Sequence, residues 1–261
     1  VLDLLLFASL TDPDVKQWVQ AVRSVGGRVS TARAALVEKL VKGLKADGVW
    51  PLLDRLWLFA AENGMQARMD VRAQVLASAV NGPTFTTNRG YTGDALAAYL
   101  DTNSNPGAGG TNYARDNASY GLWVYNDPGV PGSYREMGND DDIWGEIQFN
   151  ANGAITAGIN QSASPSGIIP PARTGLVMIE RTGANATALY RTGAQIGTGS
   201  GASVAVANRN FYVLAAAGSG GAAAPTNSGV SAALLGAALG PTLQASLNNR
   251  LRTHMTAVGV P

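Results

Sequence analysis

The chemistry this chain can offer is concentrated in a few places, and the first is Glu146-Ile147-Gln148-Phe149-Asn150. Carboxylates at i, i+2 and i+4 of a strand point the same way, and a pair of them can share the acid and nucleophile roles of glycoside cleavage. Here Gln148 and Asn150 occupy the second and third positions. An amide neither donates a catalytic proton nor attacks as a carboxylate, so the segment leads to the expectation that the chain is not an enzyme. The one histidine, His254, has no second imidazole with which to build a base pair or a metal cluster, and it reads as a surface or packing residue. The chain has no cysteine, which removes disulfides, thiolate metal sites and thiol nucleophiles together.

Binding chemistry is denser. Asp140-Asp141-Asp142, after Gly138-Asn139, is the strongest acidic cluster, and an oxygen-rich loop of this kind is a candidate Ca2+ site. Three consecutive Asp residues cannot all face one ion, however, and a solvated turn explains them as well. Tyr134 and Trp144 flank that loop. An aromatic platform beside hydrogen-bonding side chains is what a sugar ring or a partner surface requires, and Tyr134, Arg135, Asn139, Asp140, Asp142 and Trp144 bring both within a dozen positions. They form the candidate contact set for a glycan or a protein partner, with coverage of Trp144 by helices or a neighbouring subunit as the alternative.

The elements that must position these residues are legible from periodicity. Asp12-Pro13 opens a helix with Val15, Trp18, Val19, Val22 and Val25 on one stripe, stopped by Gly26-Gly27. Ser30 caps a second, carrying Leu36, Val37, Leu40, Val41 and Leu44 and ending at Gly48. This N-terminal helical segment, 1–48, is expected either to pack on the main body or to dock other chains. From Trp50 a helical turn passes into an apolar strand, and beyond it short β-forming segments alternate with Gly, Asn, Pro and Ser clusters. Strands are expected at 119–125, 143–149, 176–181, 186–191, 203–207 and 211–217. In 143–149 the parity of Ile143, Ile147 and Phe149 is core and that of Trp144, Glu146 and Gln148 is solvent. Gly240-Pro241 then opens a closing helix with Leu243, Leu247, Leu251, Met255 and Val258 on one stripe. The expected fold is mainly β, a sandwich over 49–261 with a helical hairpin before it and a packed helix at its end.

Composition agrees. There are 32 glycines and 14% charged residues, a turn-rich, weakly charged profile. With 19 basic against 18 acidic residues, no basic field exists to gather nucleic acid or an anionic membrane. Val1 to Ala8 is apolar but short, interrupted by Asp3, and is not read as a signal peptide. No stretch reaches the ~18 apolar residues of a membrane span, so a soluble protein is expected.

The segment from Ala79-Val80-Asn81-Gly82-Pro83-Thr84-Phe85 through Arg89-Gly90-Tyr91-Thr92-Gly93-Asp94, followed by Tyr99-Leu100-Asp101-Thr102, resembles the opening of concanavalin A-like (laminin-G-like) jelly-roll domains in tailed-bacteriophage and prophage proteins. Arg181-Thr182-Gly183 with Tyr190-Arg191 and Gly193 resembles that family's R-x-G-x-x-x-x-Y-R-x-G hairpin, with one residue more between the first glycine and the tyrosine. Leu235 to Leu239 and the helix after Gly240 resemble its closing strand and helix. Two positions depart from the pattern: Ala95 where a second glycine is usual, and Gly240 in place of a Ser or Thr cap. The resemblance implies a concanavalin A-like jelly roll and a phage virion component, a fibre, spike or decoration protein, located in the particle and able to bind host surface glycans. It also implies other virion proteins as partners through the N-terminal helices. Low charge and abundant Ala and Gly leave surfaces that can approach closely, so a homo-oligomer is expected, a symmetric ring or, by analogy with phage fibres, a trimer. A free lectin is the alternative, and a glycan hydrolase the third reading.

Overall fold

The computed structural model describes residues 10–129, 132–139, 143–162 and 167–261. Val1 to Ala8 therefore lies outside the described residues, as do Asp140, Asp141 and Asp142.

Helices α1 (Pro13–Ser24) and α2 (Thr31–Ala46) start where their capping residues require. Asp12 accepts hydrogen bonds from the Asp14 and Val15 amides at 3.0 and 3.4 Å, and Ser30 Oγ accepts from Arg33 at 3.1 Å. A 3-10 turn at Trp50–Leu52 leads into β1 (Leu53–Trp57), and a short helix α3 (Gly64–Arg68) follows. Then come β2 (Ser78–Val80), β3 (Thr84–Thr86), β4 (Gly90–Thr92), β5 (Tyr99–Asp101), β6 (Ala118–Asn126), β7 (Tyr134–Asn139), β8 (Glu146–Phe149) and β9 (Ile155–Ala157). The chain continues through β10 (Gly175–Gly183), β11 (Ala186–Arg191), β12 (Ala194–Gly199), β13 (Tyr212–Val213), β14 (Ala216–Gly218), β15 (Gly221–Ala223) and β16 (Gly229–Gly236) to helix α4 (Gly240–Val258).

These strands make a jelly-roll-like sandwich of two sheets. The first runs β12-β11-β10-β6-β16-β4-β3, with β1 also on β16; the second runs β15-β14-β7-β13-β5-β2, with β8 on β7 and β9 on β8. Every pairing between strands is antiparallel except that of β14 with β7.

The first sheet is the middle of three layers, and strand parity shows it. Trp123, Leu176, Met178, Ala232 and Leu234 face a core shared with the N-terminal helices and α4, while Leu122, Val177, Ile179, Ala233 and Leu235 face the second sheet. All eight residues of β16 are buried, which is why the strand is built of small and aliphatic side chains without polar alternation. The apolar stripes of α1 and α2 are thus packed on the sandwich.

Two expected strands differ. Residues 203–207 form no strand beyond a bridge from Ser203 to Gln161, and the outer strand is β12, whose Gly-rich sequence hid it. The 211–217 run breaks into β13 and β14 at Leu214, whose φ of +71° takes the backbone out of the extended region. At the hairpin from β10 to β11 the register slips between Arg181 and Gly183, so a bulge absorbs an extra residue there. The absent Ser or Thr cap of α4 also has a structural answer. Glu180 Oε2, on β10, accepts from the amides of Leu239 and Gly240 and from Gln244 Nε2, each at 3.1 Å, so a strand carboxylate caps the helix from outside its own sequence.

Candidate functional site

The second sheet has one face on the core and one facing away from it. Leu100, Met137, Ile147, Phe149 and Val213 lie in the inter-sheet core. By alternation, their neighbours Tyr99, Asp101, Tyr212 and Gln148 stand on the other face, each half-buried, and Glu146 shares that parity but is buried rather than solvent-facing as expected. Register joins them: Tyr212 pairs with both Asp101 and Gly138, and Gly138 pairs with Glu146. Gly138 is needed in this row, because a Cβ there would stand 2.6 Å from the Gly145 carbonyl oxygen and 2.7 Å from Glu146 Cβ.

At one end of the face Tyr99 and Tyr212 stack with ring centroids 4.4 Å apart and 28° between planes, both half-buried. Burial, the hydrogen bond to Tyr99, and the charge of Asp101 push the Tyr212 phenol up to about 12, so it stays a neutral donor at physiological pH. Asp101 accepts from Asn210 Nδ2 at 3.0 Å and from the Asn103 amide at 2.8 Å. At the other end Arg135 pairs with the buried Glu146. Gln148 Nε2 donates to Asn150 Oδ1 at 2.7 Å, and Asn150 Nδ2 donates to Thr156 Oγ1 at 2.9 Å. The arrangement offers a ring platform, amides and one internally paired charge, which together suit hydroxyl recognition.

The residues singled out by sequence fall as follows. Tyr134 begins β7 and is half-buried, and Arg135 follows it in the pair with Glu146. Asn139 is buried, its Nδ2 donating to the Arg209 carbonyl at 3.4 Å. Trp144 lies before β8 rather than in it, half-buried and bridged to Gln161. Asp140 and Asp142, and with them the Ca2+ reading of that loop, lie outside the described residues. Among the described residues no cluster of three or more His, Asp or Glu is arranged to hold a metal ion.

Sequence reasoning missed Tyr99, Tyr212 and Asn210. The signal was local alternation, Tyr-Leu-Asp and Phe-Tyr-Val, but more than a hundred positions separate the two tyrosines, and only strand pairing joins them.

Two other titratable groups are buried away from this face. Glu136 is fully buried. Its Oε1 is 2.9 Å from Thr226 Oγ1 while its other oxygen makes no hydrogen bond, and burial raises its pKa to about 8. His254 is buried between α2 and α4 rather than exposed, and desolvation, with the charge of Arg33 adding to it, lowers it to about 4.

No protein-family model and no curated protein sequence matches the chain. Solved structures do. Trypanosoma rangeli sialidase in complex with sialic acid superposes with a TM-score of 0.54 at 14% identity, over 85% of this chain and 40% of that one. The same sialidase with 2,3-difluorosialic acid, a covalent intermediate, gives 0.53 at 13% over the same shares. The binding domain of botulinum neurotoxin serotype D gives 0.52 at 11%, over 77% of this chain and 51% of that one. The chain thus spans about two fifths of the sialidase and half of the neurotoxin domain.

The class defined is a jelly-roll-like β-sandwich, a fold shared with parts of Trypanosoma rangeli sialidase and of the botulinum neurotoxin binding domain. The expectation that the chain is no enzyme is corrected by this comparison, because sialidases are enzymes and one of these structures holds a covalent intermediate. That expectation tested a single arrangement, carboxylates alternating along one strand, and the lack of that arrangement at Gln148 and Asn150 does not speak for the rest of the fold. The bacteriophage setting gains no support from these structures.

Proposed function

We propose that this sandwich contacts glycans through the open face of its second sheet, with the Tyr99–Tyr212 stack as the platform for a sugar ring. The observation that carries the reading is the stack itself. Trp18, Trp57 and Trp123 are buried in the cores, whereas this ring pair remains partly open beside Asp101 and Asn210. Tyr134 and Arg135 on β7 and Trp144 before β8 extend the proposed contact surface, while Asn139, which is buried, drops out of it. The setting we propose is the one the resemblance implies, a virion fibre, spike or decoration protein, homo-oligomeric and held by its N-terminal helices to other virion proteins.

Binding to a panel of immobilised glycans tests the reading. Tyr212→Ala is expected to lower affinity about tenfold or more, taking ~1–3 kcal/mol per stacked ring as the guide, with little change in Tm. Trp144→Ala is expected to act the same way more weakly. Binding by folded Tyr212→Ala equal to that of the parent overturns the platform. The sialidase likeness favours a second reading, a glycan hydrolase, and the same incubations read for released sugar test it; turnover that Glu146→Gln abolishes would establish it. Imaging of particles separates a virion component from a free lectin.

A further inference from the structure

A polar groove of about 670 Å3 opens beside this face, between the start of β1, the turn after Asp70, the 103–112 loop and Asn210. Asn210 is shared ground, since its Nδ2 also holds Asp101 beneath the tyrosine stack.

The acids of this region are spent inside the fold. Asp54 accepts from the backbone amides of Asn112 and Tyr113 at 2.7 and 2.9 Å, which ties down the loop. Asp70 is fully buried and accepts from the amides of Leu56, Arg72 and Ala73 at 2.8, 2.9 and 3.0 Å. The guanidinium groups are less committed. Arg55 is held from behind by Ser104 Oγ and the Asp54 carbonyl, both at 3.2 Å, with Asp70 at 3.7 Å. Arg72 stands 5.4 Å over the Trp50 ring and, among the described residues, makes no ion pair; its buried Nε has no acceptor. Asn105 Oδ1, also in the groove wall, is likewise without a donor. The amide nitrogens of Asn103, Asn105 and Asn112 are spent on the Leu76 carbonyl, Asn208 Oδ1 and the Pro51 carbonyl, so the wall offers the terminal nitrogens of two guanidinium groups as donors and side-chain amide oxygens as acceptors. Arginine forks match planar carboxylates, and side-chain amides match vicinal hydroxyls.

We infer that this groove binds an acidic sugar residue, its carboxylate taken by Arg72 and Arg55 and its hydroxyls donating to the side-chain amide oxygens of Asn103 and Asn112. The inference rests on the glycan reading above and names the chemical class of ligand for the end of the surface next to the tyrosine stack.

Isothermal titration of the whole chain with tetragalacturonate and with sialyllactose, each against its neutral counterpart (the methyl ester and lactose), tests it. The acidic forms should bind at least about tenfold tighter, the scale of one charge-assisted hydrogen bond, and the preference should weaken with salt. Arg72→Gln should erase the preference while leaving neutral binding in place, and Arg72→Lys, which keeps the charge without the fork, should restore part of it. Tyr212→Ala should weaken acidic and neutral sugars alike. Equal binding of acidic and neutral forms, or an unchanged preference in folded Arg72→Gln, overturns the inference and leaves the glycan reading standing. Binding of no sugar overturns both. Inorganic phosphate competing as well as tetragalacturonate reveals a simple anion site and overturns the sugar assignment.

Discussion

The two sheets solve opposite problems. The first is covered on both faces, by helices on one side and by its partner sheet on the other, and its central strand β16 is buried along its whole length. Even its charged groups work for the fold. Arg181, fully buried, gives its Nε and both terminal nitrogens to the carbonyls of Ile159, Gly183, Ala184 and Gly201 and to the Gln161 side chain, and Glu180 caps α4. The second sheet keeps one face for the core and leaves tyrosines, amides and an ion pair on the other. Burial on two sides turns polar side chains into structural devices. Burial on one side leaves them able to meet a ligand.

Substitution at the sheet interface gives the largest expected contrast. Trp57 is fully buried between the sheets, and Trp57→Ala should cost ~3–5 kcal/mol, seen as a large drop in Tm or loss of the folded protein. Tyr212→Ala, on the open face, should leave Tm nearly unchanged. Similar Tm losses in both variants would erase the distinction drawn between the two faces.

Acidity should act with opposite sign on the two regions. Glu136, behind the second sheet's open face, has its pKa raised to about 8 by burial, with Asp127 adding to the shift and the hydrogen bond from Thr226 and the charge of Arg173 opposing it. A carboxyl raised in the folded state favours folding fully below its unfolded value near 4.5, and that contribution is lost as pH rises through about 8. Urea midpoints should therefore show a penalty of a few kcal/mol, on the order of 1.4 per pH unit across that window. Glu136→Gln, neutral at every pH, should flatten the profile; an unchanged slope between about pH 4.5 and 8 would show that other groups set it.

The helical layer on the first sheet should show the smaller, reversed effect. His254 is lowered to about 4, so the unfolded chain binds its proton first, and stability present above pH 6.5 is lost as pH falls toward 4. About 3 kcal/mol is at stake across that range. His254→Leu should remove the acid dependence of that layer, measured by the same titration. If the acid limb is untouched, the histidine is not as desolvated as its packing requires.

Much of this was legible along the chain. Asp12-Pro13, Ser30 and Gly48 marked both helices because capping is a local matter of side-chain oxygens and backbone amides. Runs of β-forming residues bounded by turn residues marked β6, β10 and β11, and alternation marked β8. The contact set from Tyr134 to Trp144 was likewise local, and local clustering alone could not show that Arg135 is paired with Glu146 or that Asn139 is buried.

Amino-acid order by itself determined most element types, the caps of α1 and α2 and the sandwich class, since each depends on neighbours within a few residues. The tertiary structure alone decided which polar groups became structural and which stayed open. Strand pairing brought Tyr99 to Tyr212, and packing between elements set Glu180 at the start of α4 and brought Arg55 and Arg72 to one groove. Those encounters span from 17 to 113 positions of the sequence, and periodicity, which repeats every two or 3.6 residues, carries no information about them.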